Sequence, residues 1–219
     1  MRRFIVILFA VLLLPLFSAL AHEYPCEGIA NASNVRVRKK ASSSGAQVLT
    51  LKKGEAVQIT EETVKQNGDI WYKVETAKGK TGYVLGDYLS IPETALIEAA
   101  ESSENAVMMK LTAKAYCSDY NSVGKNWTQY YEWNGIQAQD GKAEAWVAPD
   151  VELIVYSRVR EQDQKPDTTM ETTSYTPTAD DMENGFTITQ EIKVTENNGK
   201  YKDHSAYWTV TFTFEPATE

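Results

Sequence analysis

The strongest constraint on the fold is a strict alternation of apolar and polar side chains near the end of the chain. Every second position is apolar at Ala206, Trp208, Val210, Phe212 and Phe214, and tyrosine or threonine stands between them. Side chains of a β-strand point alternately to its two faces, so this run predicts a long strand with one buried and one hydrated face. Runs of the same kind begin at Val107 and Phe186, and a less regular one covers residues 151–159.

Turn signals stand between these alternating runs. Asn-Gly pairs occur at residues 134–135, 184–185 and 198–199, and this dipeptide is typical of tight turns between antiparallel strands. We therefore expect an antiparallel β-sandwich, Ig-like or similar, of six to eight strands over residues 105–217.

Shorter alternating runs fill residues 35–90. Turn-forming segments separate them at Ser42–Gly45, Lys52–Gly54, Asn67–Asp69 and Lys78–Lys80. Strands this short with turns this frequent are typical of a small β-barrel. The whole chain is therefore predicted to be all-β.

Specific motifs in this first module resemble the bacterial SH3-like family. They are Val35-Arg36-Val37-Arg38, the serines 42–44, Trp71-Tyr72-Lys73-Val74, Gly79-Lys80-Thr81-Gly82-Tyr83-Val84 and the closing Tyr88-Leu89-Ser90. One departure is Lys40-Ala41, which stands where the family usually has Gly-Pro. The resemblance implies an SH3-like barrel over residues 27–91 that docks an exported protein to the cell wall or to a protein partner.

The same resemblance suggests which side chains contact the ligand. The family places a groove on the last strands of the barrel, which here carry Trp71, Tyr72 and Tyr83. Arg36 and Arg38 stand on the opening strand, and basic residues beside an aromatic groove suit the carboxylates of peptidoglycan stem peptides. These five residues are the predicted ligand-binding set.

Residues 92–104 are expected to link the two modules. Pro92 suits the first turn of a helix, and the good helix formers that follow up to Glu101 predict about two helical turns.

Charge divides the chain at the same place. Residues 27–91 carry ten basic and seven acidic side chains, a net charge of +3, whereas residues 92–219 carry ten basic and twenty-two acidic ones, a net charge of −12. Nucleic acid binding requires a basic surface, so the acidic second half argues against it.

The first 21 residues are typical of an export signal. Arg2 and Arg3 precede an apolar run from Phe4 to Phe17, and Ser18-Ala19-Leu20-Ala21 fits a cleavage site. The run is shorter than the ~20 residues that span a bilayer, and no second such run follows. We expect export to the periplasm, the cell wall or the extracellular space, with no membrane span in the mature chain.

Two cysteines, Cys26 and Cys117, would reach an oxidising compartment. The prediction is that they form a disulfide between the two modules, and the alternative is two separate buried thiols.

Catalytic and metal sites have weak support. Cys117 with His204 could form a hydrolase pair, and His22 with His204 could bind copper, but neither pair has an informative spacing. Seven carboxylates between residues 160 and 184 lack the Asp-x-Asp-x-Asp spacing of a calcium loop, so this segment is expected to be a long polar loop or hairpin. We predict no catalytic residue, metal or cofactor.

Aromatic residues cluster a second time in the sandwich module, at Trp127, Tyr130, Tyr131 and Trp133. Large side chains of a sandwich most often belong to its core, and an exposed binding patch is the alternative.

These observations predict an exported, non-catalytic binding protein of the cell envelope. Its SH3-like module would dock to peptidoglycan, to stem peptides or to an envelope protein. The main alternative is an adhesion or structural subunit that recognises its ligand through the sandwich. A hydrolase or copper protein is the remaining, less favoured alternative.

Overall fold

The computed structural model describes residues 24–65, 69–162 and 166–217. The predicted export signal and His22 lie outside these residues. Within them the chain is all-β, as predicted, with a curled sheet in the first module and two antiparallel sheets in the second. None of the helices in the described part of the chain is long and apolar enough to span a membrane.

The first module is one curled sheet of seven short strands. They are β1 (Cys26–Ala30), β2 (Val35–Arg38), β3 (Gln47–Leu51), β4 (Ala56–Val64), β5 (Ile70–Thr76), β6 (Thr81–Leu85) and β7 (Leu89–Ser90), with a 3₁₀ turn at Gly86–Tyr88. Their order across the sheet is β3-β2-β6-β5-β4-β1-β7. This is a half-barrel, and β1 and β7 pair with each other at one edge of it.

The inward face of this sheet forms the first hydrophobic core. Val37, Ile59, Val74 and Val84 have no exposed surface, and each stands at an alternating position of its strand. Gly79, with φ of +67°, makes the predicted turn of the β5–β6 hairpin. Burial of these aliphatic side chains is the main stabilising term of so small a unit.

The linker contains the predicted helix. This helix, α1 (Thr94–Glu101), is two turns long. Ala100 is buried, and Ile97 packs against the hydrophobic core of the second module.

The second module has eight strands and one further helix. They are β8 (Val107–Asp119), β9 (Trp127–Trp133), β10 (Ile136–Gln137), β11 (Lys142–Val147), β12 (Leu153–Glu161), β13 (Thr168–Tyr175), α2 (Ala179–Asn184), β14 (Phe186–Thr195) and β15 (Ser205–Pro216). One sheet has the order β10-β9-β12-β13 and the other has the order β11-β8-β15-β14. All pairs are antiparallel, as predicted for a sandwich.

The sandwich core lies between these two sheets. Leu111, Phe212 and Phe214 enter it from one sheet, and Trp133 and Val155 enter it from the other. The rings of Phe186 and Phe214 stack with centroids 4.7 Å apart. The alternation at residues 206–214 is therefore confirmed as one strand with a single core-facing side.

The sequence of strand β12 alternates less regularly than the others because both of its faces are buried. Val155 and Val159 face the sandwich core, while Ile154 and Arg158, on the opposite face, are also buried. The SH3-like module covers that second face, so β12 is buried on both sides. A strand buried on both sides loses the alternation that marks a half-exposed one.

Of the two forms expected for residues 160–184, a long polar loop or a hairpin, the structure has the hairpin and adds a helix. The segment contains strand β13, which forms a hairpin with β12, and helix α2, which a capping box of Thr178 and Asp181 begins. Gly185, with φ of +75°, ends this helix, so the Asn184-Gly185 pair is not the predicted turn between strands.

The predicted disulfide is not present. Cys26 and Cys117 are both free thiols. Cys26 packs against the core of the first module and Cys117 against the core of the second, so each thiol is held in a different hydrophobic cluster.

Candidate functional site

Three of the five predicted contact residues share the outer face of the first module. Arg36 and Arg38 point outward from β2, and Tyr83 on β6 pairs directly with Arg38. Lys73 on β5 is the next residue across the sheet and forms an ion pair with Glu61 at 3.4 Å. The Arg38 guanidinium also donates a hydrogen bond of 2.7 Å to the Gly45 carbonyl, which fixes its position beside the serine loop.

The other two predicted residues are not part of that surface. Trp71 shares the outward side of β5 with Lys73, but only 3% of its surface is exposed. Tyr72 points to the opposite side, packs into the first core and faces the second module. The structure therefore does not bring all five residues to one groove.

Among the described residues, two ion pairs join the modules. Arg158 on β12 lies 2.5 Å from Asp87, and Arg160 on the same strand lies 2.6 Å from Asp69. These are the only arginines of residues 92–219, and both contact the first module although their own module is strongly acidic. The junction is therefore a defined polar interface.

A tight turn completes the junction. Asn134 and Gly135 connect β9 and β10 with φ of +41° and +72°, as the Asn-Gly pair predicts. A Cβ atom on Gly135 would lie 1.7 Å from the Ile91 carbonyl oxygen. The backbone N–H of Glu93 donates to the Asn134 carbonyl at 2.8 Å, so the linker lies directly on this turn.

A cavity of about 630 Å³ lies between the modules, next to these contacts. Its walls include apolar residues, such as Leu89 and Ile154. They also include aromatic hydroxyl and charged side chains, namely Tyr72, Tyr130, Tyr156, Glu62, Glu132 and Arg158. Its volume lies in the range of small-molecule binding sites, which often form at domain interfaces.

Glu132 is a carboxyl group of this cavity whose pKa is raised. It accepts a hydrogen bond of 2.5 Å from the Tyr130 hydroxyl. Burial raises the pKa of Glu132 to about 7, although Tyr130 and the Arg158 guanidinium oppose that increase. Removal from water disfavours a charged carboxylate, so this side chain takes up a proton near neutral pH.

The three tyrosines are neutral hydrogen-bonding groups with large apolar faces. Burial is the main reason that the pKa of Tyr72, Tyr130 and Tyr156 lies far above its ordinary value. The rings of Tyr130 and Tyr156 meet edge to face at 6.2 Å. The Arg158 guanidinium carbon lies 4.9 Å from the Tyr130 ring centre, which is a cation–π contact.

The second aromatic cluster has mainly structural roles. Trp133 is buried in the sandwich core, Tyr131 contacts Phe212 edge to face, and Trp127 packs on Trp208 at 5.1 Å. Tyr130 alone of the four lines the cavity.

Of the candidate catalytic and metal residues, the structure describes Cys117 and His204, whereas His22 lies outside the described residues. His204 contacts the Asn121 carbonyl through Nδ1 at 2.9 Å, and burial raises the pKa of the Cys117 thiol, whereas a nucleophilic cysteine needs a lowered one. Of the carboxylates in residues 160–184, Asp167 binds Asn197 and Asp181 caps α2. No group of three or more potential metal ligands occurs in the described part of the chain.

The cavity residues could not be located from the sequence. Tyr130 and Glu132 lie in an aromatic segment whose large residues are expected to belong mainly to the core. Tyr156 and Arg158 lie in the strand whose sequence alternates least regularly. The one signal in the sequence is that Tyr156, Arg158 and Arg160 follow one another on one face of a largely apolar strand, which indicates a partner on that face.

Residues 33–90 match the family model of the bacterial SH3 domain. The match covers β2 to β7 and confirms the resemblance of the first module; β1, the linker and the sandwich lie outside it. No curated protein matches the chain.

Proposed function

We propose that this chain is an exported, non-catalytic binding protein of the bacterial cell envelope, which docks to peptidoglycan through its SH3 domain. The observation that carries the proposal is the bacterial SH3 match over residues 33–90, since such domains serve as cell-wall binding modules. An envelope protein partner is the alternative ligand for the same surface.

The outer face of β2 and β6 is the contact surface in this proposal. Arg36, Arg38 and Tyr83 offer two guanidinium groups beside a phenol, an arrangement that suits the carboxylates of stem peptides. Trp71 is buried beneath this face, and Tyr72 lines the cavity on the other side of the sheet.

Sedimentation with purified peptidoglycan tests the proposal. The chain from residue 22 onward should sediment with peptidoglycan and saturate, and Arg36→Glu should weaken binding by about tenfold or more, because a charge-assisted hydrogen bond is lost and repulsion is gained. Lys202→Glu is the matched control, since Lys202 is an exposed residue of the turn between β14 and β15 in the second module and its substitution changes the net charge equally. Equal binding by both variants would contradict the proposed surface.

A second candidate function has its own supporting observation. The outer face of the β11-β8-β15-β14 sheet exposes three large aromatic residues, namely Tyr116, Trp146 and Tyr207, which are 70%, 41% and 45% exposed. Such residues are enriched at recognition surfaces. An adhesion subunit that binds through this face would keep its affinity in Arg36→Glu and lose it in Tyr116→Ser.

A further inference from the structure

The cavity between the modules lies on the opposite side of the first sheet from Arg36 and Tyr83. It is formed jointly by the SH3 domain, the linker and the sandwich. An inference about it therefore goes beyond the proposed docking to peptidoglycan and does not depend on it.

The charges around the cavity are unbalanced. Carboxylates come from all three parts of the chain, namely Glu62, Glu93, Glu132 and Glu171. Within the described residues, Arg158 is the single basic side chain of the lining, and it is already paired with Asp87 at 2.5 Å. The cavity therefore favours a cation and disfavours an anion.

The aromatic residues of the cavity favour the same ligand charge. The face of a phenol ring is electronegative and attracts organic cations. Tyr130 already contacts the Arg158 guanidinium in this way, at 4.9 Å. Tyr72 of the SH3 domain and Tyr156 of the sandwich line the same cavity.

We propose that this cavity binds a ligand that carries an alkylammonium group, either primary or methylated. The rings of Tyr72 and Tyr156 pack around the cation, and the carboxylate of Glu132 is its counter-ion. The mixed apolar lining, which includes Leu89 and Ile154, accommodates the alkyl part of the ligand.

The protonation of Glu132 supports this assignment. Burial raises its pKa to about 7, so the surrounding groups of the protein do not fully compensate its negative charge. Arg158 and Tyr130 on the sandwich favour the ionised form, and Glu93 on the linker opposes it. Glu62 on the SH3 domain and the phenols of Tyr72 and Tyr156 complete its surroundings. A bound ammonium group compensates the charge and lowers this pKa, so binding strengthens as the pH rises through about 7.

Titration calorimetry with two matched pairs of probes tests the inference. One pair is choline and dimethylbutanol, in which carbon replaces the nitrogen, and the other is butylammonium and butanol. Each is titrated at roughly pH 8, where the ammonium groups are charged and Glu132 is ionised. The protein variants are Glu132→Gln in the cavity and Glu152→Gln, an exposed carboxylate of the same module, as the control.

We expect at least one cation to bind the native protein while its neutral partner does not. Glu132→Gln should weaken that binding by about tenfold and Glu152→Gln should leave it unchanged, because only the first carboxylate contacts the cation. Amide spectra of both variants establish that the fold is retained, which is expected since the glutamine is isosteric. The inference is overturned if neither cation binds at about 10 mM, if the neutral partners bind equally well, or if Glu132→Gln binds like the native protein.

Discussion

The Arg158 guanidinium of the sandwich lies 2.5 Å from the Asp87 carboxylate of the SH3 domain, and the same group lies over the ring of Tyr130. One side chain thus joins the two modules and lines the cavity between them. Its exposed fraction is 11%, and that of Asp87 is 26%, so water screens this pair only in part.

Removal of this interdomain ion pair should be costly. Arg158→Met leaves the Asp87 carboxylate without its partner in a largely desolvated position, and we expect the free energy of unfolding to fall by about 3 kcal/mol. Urea denaturation followed by tryptophan fluorescence measures it. Lys73→Met is the control, because the Lys73–Glu61 pair is exposed and should contribute less than about 1 kcal/mol. Equal effects of the two substitutions would contradict the role of Arg158 at the junction.

Substitution of Gly135 should loosen the contact between linker and sandwich. Gly135→Ala forces a Cβ atom into the Ile91 carbonyl oxygen and also strains a φ of +72°, so we expect a loss of stability well above 1 kcal/mol. Gly79→Ala isolates the second effect, since φ there is +67° but no atom lies within 4 Å of the added Cβ. It should cost about 1 kcal/mol. Thermal unfolding of both variants measures the difference, and similar melting temperatures would show that Gly135 is not tightly packed.

The titration of Glu132 should appear as a pH dependence of stability. Its pKa is about 7 in the folded chain and near 4.5 when unfolded, so between these values the folded state binds more protons. The free energy of unfolding should therefore fall as the pH rises from about 4.5 to about 7. Glu132→Gln removes this contribution, so the stability difference between native protein and variant should change with pH across that window. Urea denaturation at several pH values measures it, and a constant difference would contradict the raised pKa.

The two cysteines should not pair with each other in the native protein. Cys26 and Cys117 pack against different cores, so equilibration with oxidised glutathione should not join them to each other. Mass spectrometry after unfolding and alkylation should find no molecule with a Cys26–Cys117 disulfide. Recovery of that disulfide in most molecules would contradict this expectation. It would support the disulfide predicted from the sequence and would show that Cys26 and Cys117 are not held in separate cores.

Most of the fold follows from local patterns in the sequence. Strand β15 was predicted from the alternation at residues 206–214, and α1 was predicted from Pro92 and the helix formers after it, because each pattern depends only on neighbouring residues. The SH3 domain was predicted from ordered motifs that begin at Val35, and the family match confirms it.

The cavity could not be predicted in this way, because it depends on how two modules meet. Tyr72 and Tyr130 are far apart in the chain, and no local pattern indicates that both line one space. Burial of β12 on both faces also follows from that packing. Trp71 was predicted to contact the ligand because the family places a groove on these strands. Its burial depends on tertiary contacts, which the alternation of apolar and polar residues does not indicate.

Amide chemical-shift mapping with soluble peptidoglycan fragments tests the central claim most directly. The chain from residue 22 onward, labelled with ¹⁵N, is titrated with fragments that carry stem peptides. Binding through the SH3 domain predicts the largest shifts in β2 and β6, at Arg36, Arg38 and Tyr83. Shifts confined to the outer face of β8 and β15, or no shifts at all, would contradict docking through this domain.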